Sequence, residues 1–161
     1  MKKHSKGFTM IELIIVIAII GIFTALSTIS LNYLHAGNVK SSAQKVNRVL
    51  TELKMDAMSR NERAFMYIYN KDNNYYMWCT TTETFSIGDA KGERIGNKTT
   101  RVSADGKVLT SGEYVRIGYR KSNGAFIDGT PRRLVFSKND GNFQYVVTLV
   151  VETGKHYIDK V

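Results

Sequence analysis

Glu12 makes the clearest chemical demand in this sequence, because it is a single carboxylate at the start of a long apolar run. A carboxylate at the centre of a bilayer costs roughly 2.5 to 3.5 kcal/mol on insertion scales. Two interpretations follow: the side chain reaches the headgroup region, or it finds a cationic partner. Acidic residues inside membrane segments usually mark function, which favours the second interpretation.

Gly7 indicates processing before the apolar run rather than after it. A conventional secretory signal peptide has a basic region, an apolar region and then a cleavage site of small residues. Here the small residue lies between the basic head, which contains Lys2, Lys3 and Lys6, and the apolar run. The segment therefore does not fit an ordinary secretory signal.

The element that carries Glu12 has the composition of a membrane helix. No polar side chain interrupts Leu13 to Phe23, and the run extends to Leu34 if helix-bonded serine and threonine hydroxyls are tolerated. About 20 such residues span a bilayer. Because the lysines precede the run, the positive-inside rule places the N-terminus in the cytoplasm and the following chain outside. The sequence predicts a single-pass anchor in the cytoplasmic membrane over residues 8–34.

The stretch KGFTMIELIIVIAIIGI, from Lys6 to Ile22, resembles the class III leader and first helix of type IV prepilins and pseudopilins. The resemblance implies that a prepilin peptidase removes leader residues 1–7 by cutting after Gly7, and then methylates Phe8. It also implies that Glu12 pairs with the N-terminal amine of a neighbouring subunit in a helical filament. The implied partners are other pilin or pseudopilin subunits, the peptidase, the membrane platform of the assembly machine and the membrane.

Residues 35–62 are predicted to continue as an amphipathic helix. Apolar residues recur there at spacings of four and three, which is the helical period. The stripe consists of Val39, Ala43, Val46, Leu50, Leu53 and Ala57. We expect this stripe to pack on the sheet of the head, since a coiled coil would need more sustained heptads.

Residues 63–161 are predicted to form a β-rich extracellular head. Turn-forming asparagine, aspartate and glycine residues separate runs of β-rich composition. The predicted strands are Ala64–Tyr69, Tyr75–Thr81, Glu113–Tyr119, Arg132–Ser137, Gln144–Val151 and Lys155–Ile158. Residues 82–112, with short apolar pieces at Phe85–Ile87 and Val108–Leu109, are predicted to be a long, partly ordered region with one or two short strands. The predicted fold class is α+β: a long N-terminal helix packed on an antiparallel sheet or pair of sheets, as in a pilin-like lollipop.

The last third of the chain, from Val115 to Ile158, resembles the head of H-type minor pseudopilins and minor pilins. In those proteins the final hairpin ends in a Gly-Arg pair, whereas Lys155 follows Gly154 here. Cys79 is the only cysteine, so no intrachain disulfide can form. Many major pilins of Gram-negative bacteria close the head with such a bond. These features favour a minor, tip-type or Gram-positive subunit.

No residue pattern in the sequence indicates catalysis. The histidines are His4, His35 and His156, and there is no HExxH, CxxC, phosphate-binding glycine loop or nucleophile elbow. Cys79 lies within a predicted strand, where a buried structural thiol is expected; intermolecular pairing stays open. The sequence predicts a protein that is not an enzyme and has no cofactor or metal site.

The head is rich in basic residues, and the chain carries a formal charge of +9. Basic side chains interleaved with aromatic ones can neutralise phosphates and stack on bases. The candidate anion-binding residues are Arg116, Arg120, Lys121, Arg132 and Arg133, with Tyr114 and Tyr119 among them. A solvated basic face, or contact with acidic envelope polymers, would explain the same composition.

Two functional hypotheses result, together with a simpler third one. The first is a structural, minor subunit of a type IV pilus, a competence pilus or a type II secretion pseudopilus. The second is a pilus-displayed binding module whose basic head captures DNA or a surface target. The third is a membrane-tethered protein whose anchor is never cut. The three machines share this kind of helix, so the sequence leaves the choice among them open.

Overall fold

A computed structural model of the chain describes residues 9–59 and 63–161, and of residues 25–37 it describes the backbone alone. Gly7 and Phe8 lie outside the described residues. The contacts within the chain define two compact units, Met1–Leu34 and His35–Val161. The described residues contain one helix, α1 (Met10–Ser59), and nine strands: β1 (Phe65–Lys71), β2 (Asn74–Thr80), β3 (Glu93–Gly96), β4 (Thr100–Ala104), β5 (Lys107–Val108), β6 (Tyr114–Gly118), β7 (Arg133–Lys138), β8 (Tyr145–Val150) and β9 (Lys155–Lys160).

The strands form two antiparallel sheets. The four-stranded sheet has the order β3-β2-β1-β6, and the five-stranded sheet has the order β5-β4-β7-β8-β9. The predicted α+β, pilin-like class is therefore confirmed, with the pair of sheets as the form that the head takes. The predicted single-pass anchor is not confirmed, since none of the helical structure in the described residues is long and apolar enough to cross a membrane.

The apolar stripe of the second half of α1 packs into the core of the head, as predicted. Every residue of the stripe is at most 5 % exposed. The stripe shares its cluster with Met66 and Ile68 of β1, Ile117 of β6 and Phe136 of β7. Spacings of three and four place all these side chains on one face of the helix, so a single sheet-facing surface buries them together.

Strand β1 is the central element of the head because both of its faces are covered. Met66 and Ile68 face the apolar cluster, while Tyr67 on the opposite face stacks on Phe85 with ring centroids 4.4 Å apart. The tight turn that joins β1 to β2 contains only Asp72 and Asn73, both with positive φ. Two-residue turns of that kind match the twist of an antiparallel hairpin.

The region 82–112 is more ordered than predicted. It contains three strands, β3, β4 and β5, rather than the one or two predicted, and Phe85 lies in a loop that covers the aromatic face of β1. Strand β4 has only one strongly apolar core residue, Val102, which lies opposite Phe136 of β7. Pairing with β7, rather than local composition, thus makes this segment a strand.

Candidate functional site

The carboxylate of Glu12 lies in the first turn of α1, where Thr9 holds it. The backbone N–H and the hydroxyl of Thr9 donate to Glu12 Oε2 at 2.9 and 2.8 Å, and the Glu12 N–H donates to Thr9 Oγ1 at 3.3 Å. This reciprocal arrangement is a capping box, which satisfies amide groups that a helix N-terminus leaves unpaired. The same bonds fix the carboxylate in one place at the helix start.

Around this carboxylate, α1 presents apolar side chains on all sides. The large apolar residues between Met10 and Phe23 are 47 to 86 % exposed. Glu12 Oε1 accepts no hydrogen bond from the residues that the structure describes. The arrangement suits association with other apolar surfaces, with one charged group available to a donor from outside the chain.

Three of the five candidate basic residues line one groove of about 490 Å³. Arg116 comes from β6, and Arg120 and Lys121 come from the turn that follows it. The floor of this groove, which we call the arginine groove, includes Phe65 and Ile127. The sequence therefore places these three residues together correctly, whereas their predicted role in anion binding stays a prediction.

Acidic residues neutralise much of the positive charge of the arginine groove. Glu83 bridges two guanidinium groups, with Oε1 2.6 Å from Arg116 and Oε2 3.3 Å from Arg63. Asp128 lies 2.7 Å from Arg120. An anion that entered this groove would have to compete with two carboxylates that are already in place.

Arg132 and Arg133 do not reach the arginine groove, because they lie at the start of β7 in the other sheet. The Arg132 side chain pairs with Glu152 at 3.2 Å. Asp105 accepts hydrogen bonds from the backbone N–H groups of both arginines, at 2.9 Å from each to Oδ1. The side chain of Arg133 is exposed and has no ion pair among the described residues.

Cys79 is exposed, so the prediction of a buried thiol is wrong. It continues the core-facing alternation of Tyr75 and Met77, and with Leu53 and Asp56 of α1 it lines a groove of about 190 Å³. Partial desolvation, and then the charges of Glu52 and Asp56, raise the pKa of the Cys79 thiol to about 11. The thiol is protonated at neutral pH and is a poor nucleophile.

Sequence reasoning missed two features of these sites. The Thr9 cap had a local signal, since threonine followed three residues later by glutamate before an apolar run is the capping-box pattern. Glu83 had none, because it lies 33 residues from Arg116 and meets it only when the loop folds over the sheet. Within residues 9–59 and 63–161, no cluster of histidine, cysteine and acidic residues is arranged to hold a metal ion.

Comparison with known proteins identifies the amino-terminal segment. Residues 2–28 match the model of the prokaryotic N-terminal methylation motif. This motif supports a class III leader of the pilin and pseudopilin type, and with it a type IV pilin-like or pseudopilin subunit. No curated protein and no solved structure matches the chain. The resemblance of the last third to H-type pseudopilins is thus not confirmed.

Proposed function

We propose that the chain is a minor structural subunit of a type IV pilus, a competence pilus or a type II secretion pseudopilus. The observation that carries this proposal is the methylation motif at residues 2–28, which includes the exposed apolar turns of α1 between Met10 and Phe23. In this proposal a prepilin peptidase cuts after Gly7 and the new N-terminal residue, Phe8, is methylated. Other subunits of the filament and the membrane platform of the assembly machine are the remaining partners.

Glu12 sets the axial position of the subunit in the proposed filament. Thr9 engages one carboxylate oxygen, and the other is available to the N-terminal amine of a neighbouring subunit. A buried ion pair of this kind adds little net stability, but it specifies register, because a displaced helix would leave an unpaired charge among apolar side chains.

Each part of the chain has its own role in the proposed function. Residues 8–34 anchor the precursor in the cytoplasmic membrane, with the basic leader inside, and later form the filament core. Residues 35–62 connect that segment to the head, whose core they complete through the buried stripe. The head, residues 63–161, is displayed outside the cell and on the assembled filament.

Mass spectrometry of the mature N-terminus tests the processing step. We expect a chain that begins at Phe8 and carries one added methyl group on its amine. A mature chain that begins before Phe8 would contradict the filament proposal and favour the membrane-tethered protein. Abundance of the chain in sheared surface filaments would separate a minor from a major subunit.

Substitution of Glu12 tests the register role. We expect Glu12→Ala to leave membrane insertion intact but to abolish incorporation into filaments, measured as the chain recovered with sheared filaments. The matched control is Glu52→Ala, which removes an exposed carboxylate from the second half of the same helix. Filament yield equal to that of the unmodified chain would rule out a register role for Glu12.

A second candidate function is capture of DNA or another surface target by the displayed head. The observation that favours it is the convergence of Arg116, Arg120 and Lys121 on the arginine groove. Titration of the purified full chain with duplex DNA over a salt series tests this candidate. Absence of binding at low salt would end it, since phosphate neutralisation is strongest there.

A further inference from the structure

The outer face of the five-stranded sheet carries cations of a different kind from those of the arginine groove. Side chains alternate along each strand, so the residues next to the buried Val102 of β4 and next to the buried Leu134 of β7 point away from the core. Arg101 of β4, Arg133 of β7 and Lys155 of β9 occupy such outward positions, and all three are exposed. Among the described residues, none of their side chains forms an ion pair.

An exposed aromatic ring lies in the same cross-strand row as Arg133. Arg133 is paired in register with Thr148 of β8, and Thr148 is paired with Tyr157 of β9. Neighbouring strands are roughly 4.8 Å apart, so the guanidinium and the phenol project from backbone positions about 10 Å apart on one flat surface. Tyr157 is 48 % exposed, which leaves much of its ring accessible.

Two acidic residues lie near this surface, against its three cations. Asp159 is the outward acid of β9. Asp105, beside Arg133, directs its carboxylate to the backbone N–H groups of Arg132 and Arg133. The surface therefore has three cations without ion pairs among the described residues, whereas Arg116 and Arg120 of the arginine groove are already bound to carboxylates.

We propose that this outer sheet surface, defined by Arg101, Arg133, Lys155 and Tyr157, binds single-stranded nucleic acid. The cations neutralise separate phosphates of a strand that crosses the sheet, and Tyr157 provides a stacking platform for an unpaired base. A base within a duplex does not expose its face, so a flat sheet with an accessible ring favours the single strand over the duplex. This inference rests on the second candidate function, from which it takes nucleic acid as the class of ligand. It assigns the binding to different residues.

Fluorescence anisotropy of a labelled oligothymidylate with the purified full chain in detergent measures the binding. With three phosphates neutralised, we expect the logarithm of the binding constant to fall with the logarithm of salt at a slope of about −2. The double variant Arg101→Gln/Arg133→Gln should reduce the magnitude of that slope by about 1.4 and weaken binding at low salt by at least about tenfold.

The matched control is Lys71→Gln/Lys91→Gln, which removes the same charge from exposed positions elsewhere on the head. We expect its binding to change by less than about threefold, because only the distant field of the protein is altered. Equal losses in the two double variants would overturn the proposal in favour of a non-specific charge effect. Thermal unfolding followed by circular dichroism verifies that each variant remains folded.

Substitutions of Tyr157 distinguish the contribution of base stacking from that of charge neutralisation. We expect Tyr157→Ala to weaken binding of the single strand by about tenfold and to leave duplex binding unchanged, while Tyr157→Phe keeps the affinity. Equal affinity for single strand and duplex in the unmodified chain would overturn the assignment, as would absence of binding at low salt.

A groove variant distinguishes this proposal from the candidate function on which it rests. If Arg116→Gln/Arg120→Gln abolishes binding and Arg101→Gln/Arg133→Gln does not, the arginine groove is the site and the outer sheet surface is not. Normal filament incorporation of both variants would show that neither surface is needed for the structural role. Failure of nucleic acid binding therefore leaves the filament proposal intact.

Discussion

Helix α1 contains two apolar segments with opposite environments. Between Met10 and Phe23 the large apolar side chains are 47 to 86 % exposed, whereas from Val39 to Ala57 the apolar stripe is at most 5 % exposed. The second segment concentrates its apolar residues on one face, and the chain's own sheets cover that face. The first is apolar on every side, and a helix of that kind is stable only where other molecules surround it. Periodicity thus indicates whether the partner of an apolar segment lies within the chain or outside it.

Truncation of one leucine in each segment tests this difference in environment most directly. Leu50 is fully buried, so Leu50→Ala removes contacts and leaves a cavity; we expect a loss of about 2 to 5 kcal/mol in the unfolding free energy of the head. Leu13 is 61 % exposed, and Leu13→Ala should change the same quantity by no more than about 0.5 kcal/mol. Urea denaturation followed by Trp78 fluorescence measures both.

When filament incorporation is measured instead of unfolding free energy, we expect Leu13→Ala to have the larger effect of the two leucine variants. Leu13→Ala removes apolar surface from the proposed filament core, whereas any folded fraction of Leu50→Ala retains that surface. If Leu13→Ala unfolds the head as readily as Leu50→Ala does, the two segments are not distinct and the comparison fails.

Substitutions of glycine by alanine test the packing of the head and of the first segment of α1 at single positions. A Cβ at Gly154, where φ is +64°, would lie 1.7 Å from the carbonyl oxygen of Gly124. We expect Gly154→Ala to destabilise the head by about 2 to 4 kcal/mol, through left-handed strain and the clash together. Gly106 also has positive φ but no atom within 4 Å, so Gly106→Ala should show the strain alone, about 1 kcal/mol.

Gly21 in the first segment should respond with the opposite sign. It lies inside α1, and a Cβ at this position would have no atom within 4 Å among the described residues, so alanine there meets no obstacle. Gly21→Ala should increase helix stability by up to about 1 kcal/mol, measured as helical circular dichroism of the full chain. A loss of stability at Gly21, or equal losses at Gly154 and Gly106, would contradict these assignments.

The buried stripe and the β1–β2 hairpin were predictable from sequence because their signals are local. Helical spacing alone identified all six residues from Val39 to Ala57, and a cluster of turn-forming residues between two β-rich runs identified the hairpin. Strand β4 was not predictable, since Val102 gains its burial from pairing with β7, which lies far along the chain. Short polar strands depend on their partners more than on their own residues.

The candidate site divides in the same way. Arg116, Arg120 and Lys121 are neighbours in sequence and line one groove, so their convergence was predictable. Arg133 was grouped with them by composition, yet it belongs to another sheet. Glu83, which neutralises Arg116, comes from a loop whose position depends on the stacking of Phe85 on Tyr67. Charge composition therefore identifies basic residues but not which of them are already paired.

The smallest expected effect concerns a polar contact between the second segment of α1 and β9. His156 Nε2 lies 3.0 Å from Thr51 Oγ1, and His156 Nδ1 lies 3.2 Å from the Tyr119 hydroxyl. The nearby Lys54 ammonium donates to the carbonyl oxygens of Thr153 and Gly154 at 3.3 and 3.1 Å. Partial burial, and also the charge of Lys54, lower the pKa of His156.

Because the pKa of His156 is lower in the folded chain than its unfolded value of about 6.5, the unfolded chain binds the proton more tightly. The contribution of this contact should be fully present above about pH 6.5 and should be lost as the pH falls through the folded pKa. Urea denaturation of the full chain between pH 8 and 5, compared with His156→Gln, measures it. The two chains differ only at residue 156, so a smaller pH dependence in His156→Gln identifies this contact. An identical pH dependence in the two chains would show that the His156 contact does not contribute measurably to the stability of the head.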